Sequence, residues 1–297
     1  MPISPSLALK VSQVFNVAFI VGMCFFTDQM VAVYKAGSFK GVSKTAFMAA
    51  MVQLGGNQVQ MLLFCATMSK SRNEAAKSCA CLCTGFAWIF FGIADCYLLS
   101  NGDIPTSIVP SSSIHSNLIL FLIIGSINLL AWNLSGGVLP EFSDFMVKGD
   151  LSNPINLGSA NFLFFGLWMA LFTPHAFDTF LPGVMETLPG QETIAPMLYW
   201  VYGNSGKGML INVLSIHATI SVDPLCNDTK YRLLRSVCYS SLFWLGSFAK
   251  DGALGDLAGW PAPMRVFTFV SCAGTWAYQA NALGDVEVKV PDKIKKA

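Results

Sequence analysis

With 297 residues, of which 54% are hydrophobic and 12% charged, the chain lacks the polar surface of a water-soluble globule, in which about a quarter of residues are charged. A net charge of +1 excludes a polybasic nucleic-acid binder, and no nucleic-acid motif is present. The composition is that of an all-α integral membrane protein.

Taken in chain order, the apolar stretches long enough to cross a bilayer, which takes about 20 helical residues, fall over about 12–34, 46–68, 78–99 and 114–134, then about 160–181, 195–220, 231–249 and 263–282. The short segment Met1 to Lys10 has one lysine, and the first apolar stretch runs into Thr27, Asp28 and Gln29 rather than a small-residue cleavage site. It is expected to be a retained span, not a signal peptide. Gly136, Gly137, Pro140, Asp150 and Pro154 make the middle segment rich in helix breakers. The expected division is a first four-helix unit over 1–135, a linker over 136–159, a second unit over 160–284 and a polar C-terminal tail over 285–297.

The two units read as copies. Trp88, Asp95 and Pro105 are matched by Trp244, Asp251 and Pro261 at a constant offset of 156. Around them, Phe26-Thr27 pairs with Phe172-Thr173, Gly37 with Gly183, Ala66-Thr67 with Ala218-Thr219, and Gly125 with Gly274, in order. Such self-similarity points to a duplication. An even number of spans per copy makes the repeat parallel, its axis along the membrane normal. The predicted fold is therefore about eight transmembrane helices in two parallel-repeat four-helix units.

Basic residues set the orientation. Lys10, Lys70, Arg72, Lys77, Lys148, Lys230, Arg232, Arg235 and the lysines of the tail fall on the side holding both termini, against Lys35, Lys40, Lys44, Lys250 and Arg265 opposite. Both termini are expected on the positive-inside face: cytosol, stroma or matrix. The loops from Gly37 to Thr45 and Gly183 to Thr193 are expected to lie in the interface. Trp132, Trp200, Trp260 and Trp276, near span ends, suit an aromatic belt.

The candidate site residues are polar groups within or beside spans. Asp28 and Asp178 occupy corresponding parts of the two copies, near His175 and Pro174, and either line a shared cavity or satisfy a kinked backbone. The second span of each copy reads as glycine-broken, around Gly55-Gly56-Asn57 with Gln60, and around Gly203 to Gly208 with Lys207 and Asn212. Interrupted helices at matching positions point to a transporter site, and small residues equally serve close packing. Asp95 and Asp251 read as helix-end anchors or loop acceptors. His175 and His217 are candidate axial ligands for a tetrapyrrole pigment, or satisfied interior histidines. Cys79 and Cys83 share a helix face that Cys81 does not, so all nine cysteines read as packing residues, and no metal is expected.

No motif of a soluble hydrolase, metalloprotease or nucleotide enzyme is present. The leading expectation is a non-catalytic subunit of a large respiratory or photosynthetic membrane complex, holding lipid or pigment and contacting other integral membrane subunits. The alternative is a small-molecule or ion transporter with its site between the repeats, through Asp28, Asn57, Gln60, Asp178, Lys207 and Asn212. A lipid-modifying membrane enzyme is the third reading.

Overall fold

The computed structural model describes residues 3–26, 29, 42–104, 106, 109–141, 154–180, 186, 191–223 and 226–250. Among them the chain is all-helical. The helices are α1 (Pro5–Phe25), α2 (Val42–Ser69), α3 (Glu74–Ser100), α4 (Ser111–Leu134), α5 (Pro154–Leu171), the short α6 (Thr173–Phe180), α7 (Gln191–Val222) and α8 (Asn227–Lys250). These overlap the first seven predicted spans, of which 12–34 is described only to residue 26 and at 29. The eighth, at 263–282, lies outside the described residues, as do the 285–297 tail and the residues of the 136–159 linker from 142 to 153.

Among the described residues, three helices are long and apolar enough to cross a bilayer: α1 over Pro5–Met23, α3 and α4. The protein is a membrane protein, and its outer face shows it. On α1, Val14, Val17, Val21 and Phe25 are exposed at helical spacing while Ser12, Asn16 and Ile20 are buried. On α3 and α4 the exposed residues include Phe86, Ile93, Ile119 and Ile123. Apolar groups outside and amides inside are the arrangement a lipid solvent favours, because a polar group there must find its partner within the protein.

Local signals place the ends. Ser4 caps α1, its Oγ accepting from the Leu7 N–H at 3.3 Å, with Pro5 in the first turn, the position where proline's missing donor costs nothing. This starts the helix earlier than residue 12, where hydrophobicity alone put it. Asn73 caps α3 through Oδ1 and the Ala76 N–H at 2.9 Å. Its Nδ2 donates to Asp223 Oδ2 at 2.8 Å, joining the α2–α3 turn to the end of α7. Ser6 Oγ donates to Ser69 O at 2.9 Å, and Ser135 Oγ to Ser78 Oγ at 2.8 Å. The starts of α1 and α3 and the ends of α2, α4 and α7 therefore gather at one end of the bundle.

Two helices form the centre. α1 packs on α2, α5 on α7 and α3 on α4, while α2 lies against α7. The helix that follows each central helix crosses to the other half, so that α3 packs on α7 and α8 on α2. None of the described side chains of α2 is exposed, and on α7 only Leu214 is. Their buried faces hold Asn57, Gln60, Asn204, Ser205, Asn212 and His217. Polar inward faces lower their average hydropathy, which is why neither helix is apolar enough throughout to read as a span by composition.

The expected interruptions at glycine are not found. α2 runs unbroken through Gly55-Gly56, and α7 through Gly203 to Gly208 and past Pro196. The glycines instead permit contact. A Cβ on Gly206 would lie 2.6 Å from Met169 Cβ and 2.7 Å from the Ala170 nitrogen, and one on Gly208 would lie 2.9 Å from Asn57 Cγ. Gly85 and Gly125 bring α3 and α4 equally close. This is the small-residue packing that membrane helices use. Among the described residues, a span is broken at Phe172, between α5 and α6, where Thr173 Oγ1 donates to Met169 O at 2.6 Å. There the side chain supplies a donor to a helix-end carbonyl just before Pro174.

Gly206→Val is expected to push α5 from α7 and to destabilise by about 1–3 kcal/mol, the usual cost of overpacking. Thermal unfolding in mild detergent checks this; an unchanged midpoint would mean the two backbones do not meet at Gly206.

Candidate functional site

Three faces of α7 serve three neighbours. Trp200, Asn204 and Lys207 recur at four- and three-residue spacing and share one face, which meets α3. Ser205, Gly208 and Asn212 share another, which meets α2. Gly206 and Leu210 face Gly166 on α5.

On the first face, Asp95 of α3 is buried and accepts two hydrogen bonds on one oxygen, from Trp200 Nε1 and from Asn204 Nδ2, both at 2.9 Å. Asn204 Oδ1 in turn accepts from Lys207 Nζ at 3.1 Å. An anion and a cation are thus joined through one amide. Among the described residues, Asp95 Oδ2 has no hydrogen-bond donor and the Lys207 ammonium has Asn204 Oδ1 as its one acceptor. Lys207 lines a cavity of about 390 Å³ with Leu98, Asp103, Thr173, Tyr199 and Trp200. Charges placed in a bundle of this kind are costly unless paired and hydrogen-bonded. Here the pairing is indirect, which leaves the ammonium available to the cavity.

On the second face, Asn57 Nδ2 donates to Ser205 O at 2.8 Å and to Ser205 Oγ at 3.0 Å, and Asn212 Nδ2 donates to Asn57 O at 3.3 Å. The oxygens Asn57 Oδ1 and Asn212 Oδ1, both amide atoms of Gln60, and Trp88 Nε1 are buried without a hydrogen-bond partner. Asn57, Asn212 and Trp88 line a second cavity of about 20 Å³, room for one water molecule. By contrast, Thr219 Oγ1 and Ser221 Oγ bond to the carbonyls of Ser215 and Ala218 on their own helix. Hydroxyls satisfy themselves locally; an amide, with two donors and an acceptor, does so only in part.

Of the residues expected to form a transport cavity, Asn57 and Asn212 come together between α2 and α7, Gln60 is buried on α2, and Lys207 lies on another face of α7 at the separate cavity beside α3. Asp28 lies outside the described residues. Asp178 is exposed on α6, near Tyr199. The two histidines are apart: His175 is exposed and its Nδ1 accepts from Trp168 Nε1 at 3.0 Å, whereas His217 is buried with Nε2 at 2.6 Å from Ser159 Oγ. Both ring nitrogens named are engaged by protein. Cys79 Sγ faces Ala218 O on α7 and Cys81 Sγ faces Pro5 O on α1, so the cysteine run divides between two neighbours.

Two expectations are corrected. Asp95 serves neither a loop nor a lone helix end, because its partners are side chains of α7. Trp200 is not simply a belt residue, because its indole N–H is spent on Asp95. Trp200, Asn204 and Ser205 are not among the expected cavity residues, although Asn204 and Ser205 fall in the same glycine-rich segment as Lys207. No family model matches the chain, and comparison with characterised proteins and with solved structures gives no significant match.

Asp95→Ala is expected to be the most damaging change at this site. It takes the acceptor from Trp200 and Asn204 and the counter-charge from Lys207, a loss of about 3–5 kcal/mol for breaking a buried pair. Asp95→Asn keeps an acceptor oxygen and should lose less, and adding Lys207→Met to it should restore part of the loss. Unfolding midpoints of the three variants test the coupling; equal midpoints for Ala and Asn would show that Asp95 makes no such bonds.

Proposed function

We propose that the protein is a membrane carrier for a small polar solute, with its site between α3 and α7 where two four-helix units meet. The observation that carries this reading is the Asp95–Asn204–Lys207 chain opening onto the cavity of about 390 Å³. Ionisable groups within a membrane bundle mark pathways and sites by default, and cavities of about 300–1,000 Å³ suit small ligands. The amides between α2 and α7 extend polarity along the same central helices.

The pairing of helices supports a parallel repeat. With α1, α2 and α3 corresponding to α5, α7 and α8, the α1–α2 contact matches α5–α7, and the α3–α7 contact matches α8–α2. The stretch at 263–282 then corresponds to α4. Lys70, Arg72, Lys77, Lys230 and Arg232 belong to the end marked by the Asn73–Asp223 bond, which supports both termini on the positive-inside face. Membrane lipids are the expected partners of the outer face.

The exposed apolar faces of α1, α3 and α4 favour a second reading, a non-catalytic subunit whose neighbours cover them. The ionic cluster at Asp95 and Lys207 goes beyond what packing alone requires, so the carrier reading comes first.

Reconstituted into liposomes, the protein is expected to take up labelled polar solutes above protein-free vesicles. Lys207→Gln should reduce this about tenfold or more, since a hydrogen bond to a charged group contributes about 1.5–3 kcal/mol. Absence of uptake together with migration in a large assembly in mild detergent would favour the subunit instead.

A further inference from the structure

The cavity beside Lys207 has charge of both signs. Lys207 contributes an ammonium with two N–H groups that have no acceptor among the described residues, and Asp103, exposed in the turn after α3, contributes a carboxylate. Asp103 uses its backbone N–H on Leu98 O at 3.0 Å, which ties the residue down without engaging the side chain. The lining also includes Tyr199, Trp200, Leu98 and Pro196, with Thr173 as a further polar group. The Lys207 charge is already balanced by Asp95 through Asn204. A solute carrying only a negative charge would therefore add an uncompensated anion beside Asp95 and Asp103, and Asp178 also lies near Tyr199. A solute carrying only a positive charge would leave the two Lys207 donors unpaired. A molecule with a carboxylate and an ammonium brings no net charge and satisfies both groups.

We infer that this cavity receives a zwitterionic, amino-acid-like solute, its carboxylate on Lys207 and its ammonium towards Asp103. Asp95, Asn204 and Trp200 are positioning residues that hold the Lys207 head group. The Tyr199 ring and the apolar lining residues receive the solute's side chain, and the ammonium gains from an aromatic face. This rests on the carrier reading only for what happens after binding.

The test separates binding from uptake. Full-length protein in lipid nanodiscs is titrated calorimetrically with glycine, leucine and phenylalanine, and with N-acetylphenylalanine and phenylalanine amide, which each keep one charge. At least one free amino acid is expected to bind, with the single-charge analogues of phenylalanine about tenfold or more weaker than phenylalanine, as loss of a charge-assisted contact implies. Lys207→Gln should weaken the free amino acid and the N-acetyl compound but not the amide; Asp103→Asn should weaken the free amino acid and the amide but not the N-acetyl compound. Asp103 is exposed, so its variant should fold normally, and an unchanged unfolding midpoint checks this. Binding of no free amino acid, or equal binding of a single-charge analogue, overturns the inference. Selective binding without uptake in liposomes would leave it standing and remove the carrier reading, whereas uptake of another solute with no zwitterion preference would do the reverse.

Discussion

The bundle depends on two helices, α2 and α7, whose described side chains are almost all enclosed. Once α2 and α7 are enclosed, each polar side chain they carry must be answered by another helix, by its own backbone or by a cavity. An interhelical hydrogen bond in a membrane is worth only about 0.6 kcal/mol on average. Its influence on arrangement is larger than that figure, because a rotation of α7 that broke the Asn57–Ser205 and Asp95–Asn204 bonds would strand amides and a carboxylate together. The register of the centre is thus set by what misalignment would cost.

Close approach makes those bonds reachable. Gly208 lets Asn57 lie against the α7 backbone, and Gly206 lets α5 come equally near from the other side. Packing and hydrogen bonding are one arrangement here. A larger residue at either glycine would separate backbones and, with them, the donors and acceptors that only short reach connects.

Not all polarity is absorbed. Gln60, Trp88 and the oxygens of Asn57 and Asn212 keep hydrogen-bonding capacity unused, as do Lys207 and Asp95. Such capacity is not confined to the central helices: Asn128 on α4 donates to Ser12 Oγ and Ile124 O, yet its Oδ1, like Asn16 Oδ1 on α1, has no partner. What sets the centre apart is that Asn57 and Asn212 line a small cavity and Lys207 a larger one.

Helical class, membrane character and the approximate place of the first seven helices were legible from the order of residues, because a run of apolar side chains long enough for a bilayer is a local property. The glycine-rich stretches were equally visible, but whether they break a helix or join two depends on the neighbour that meets them, and α5 and α2 do. Lys207 and Asn212 stand out by their cost in lipid, whereas Asp95 reads from sequence as a helix-end residue. Its partners Trp200 and Asn204 lie 105 and 109 positions away, and nothing in the spacing of a span says which face turns inward. In a membrane both the lipid and the protein interior are apolar, so the periodicity that separates inside from outside in a soluble helix is muted. Which polar groups meet was therefore left to the packing of whole helices against each other.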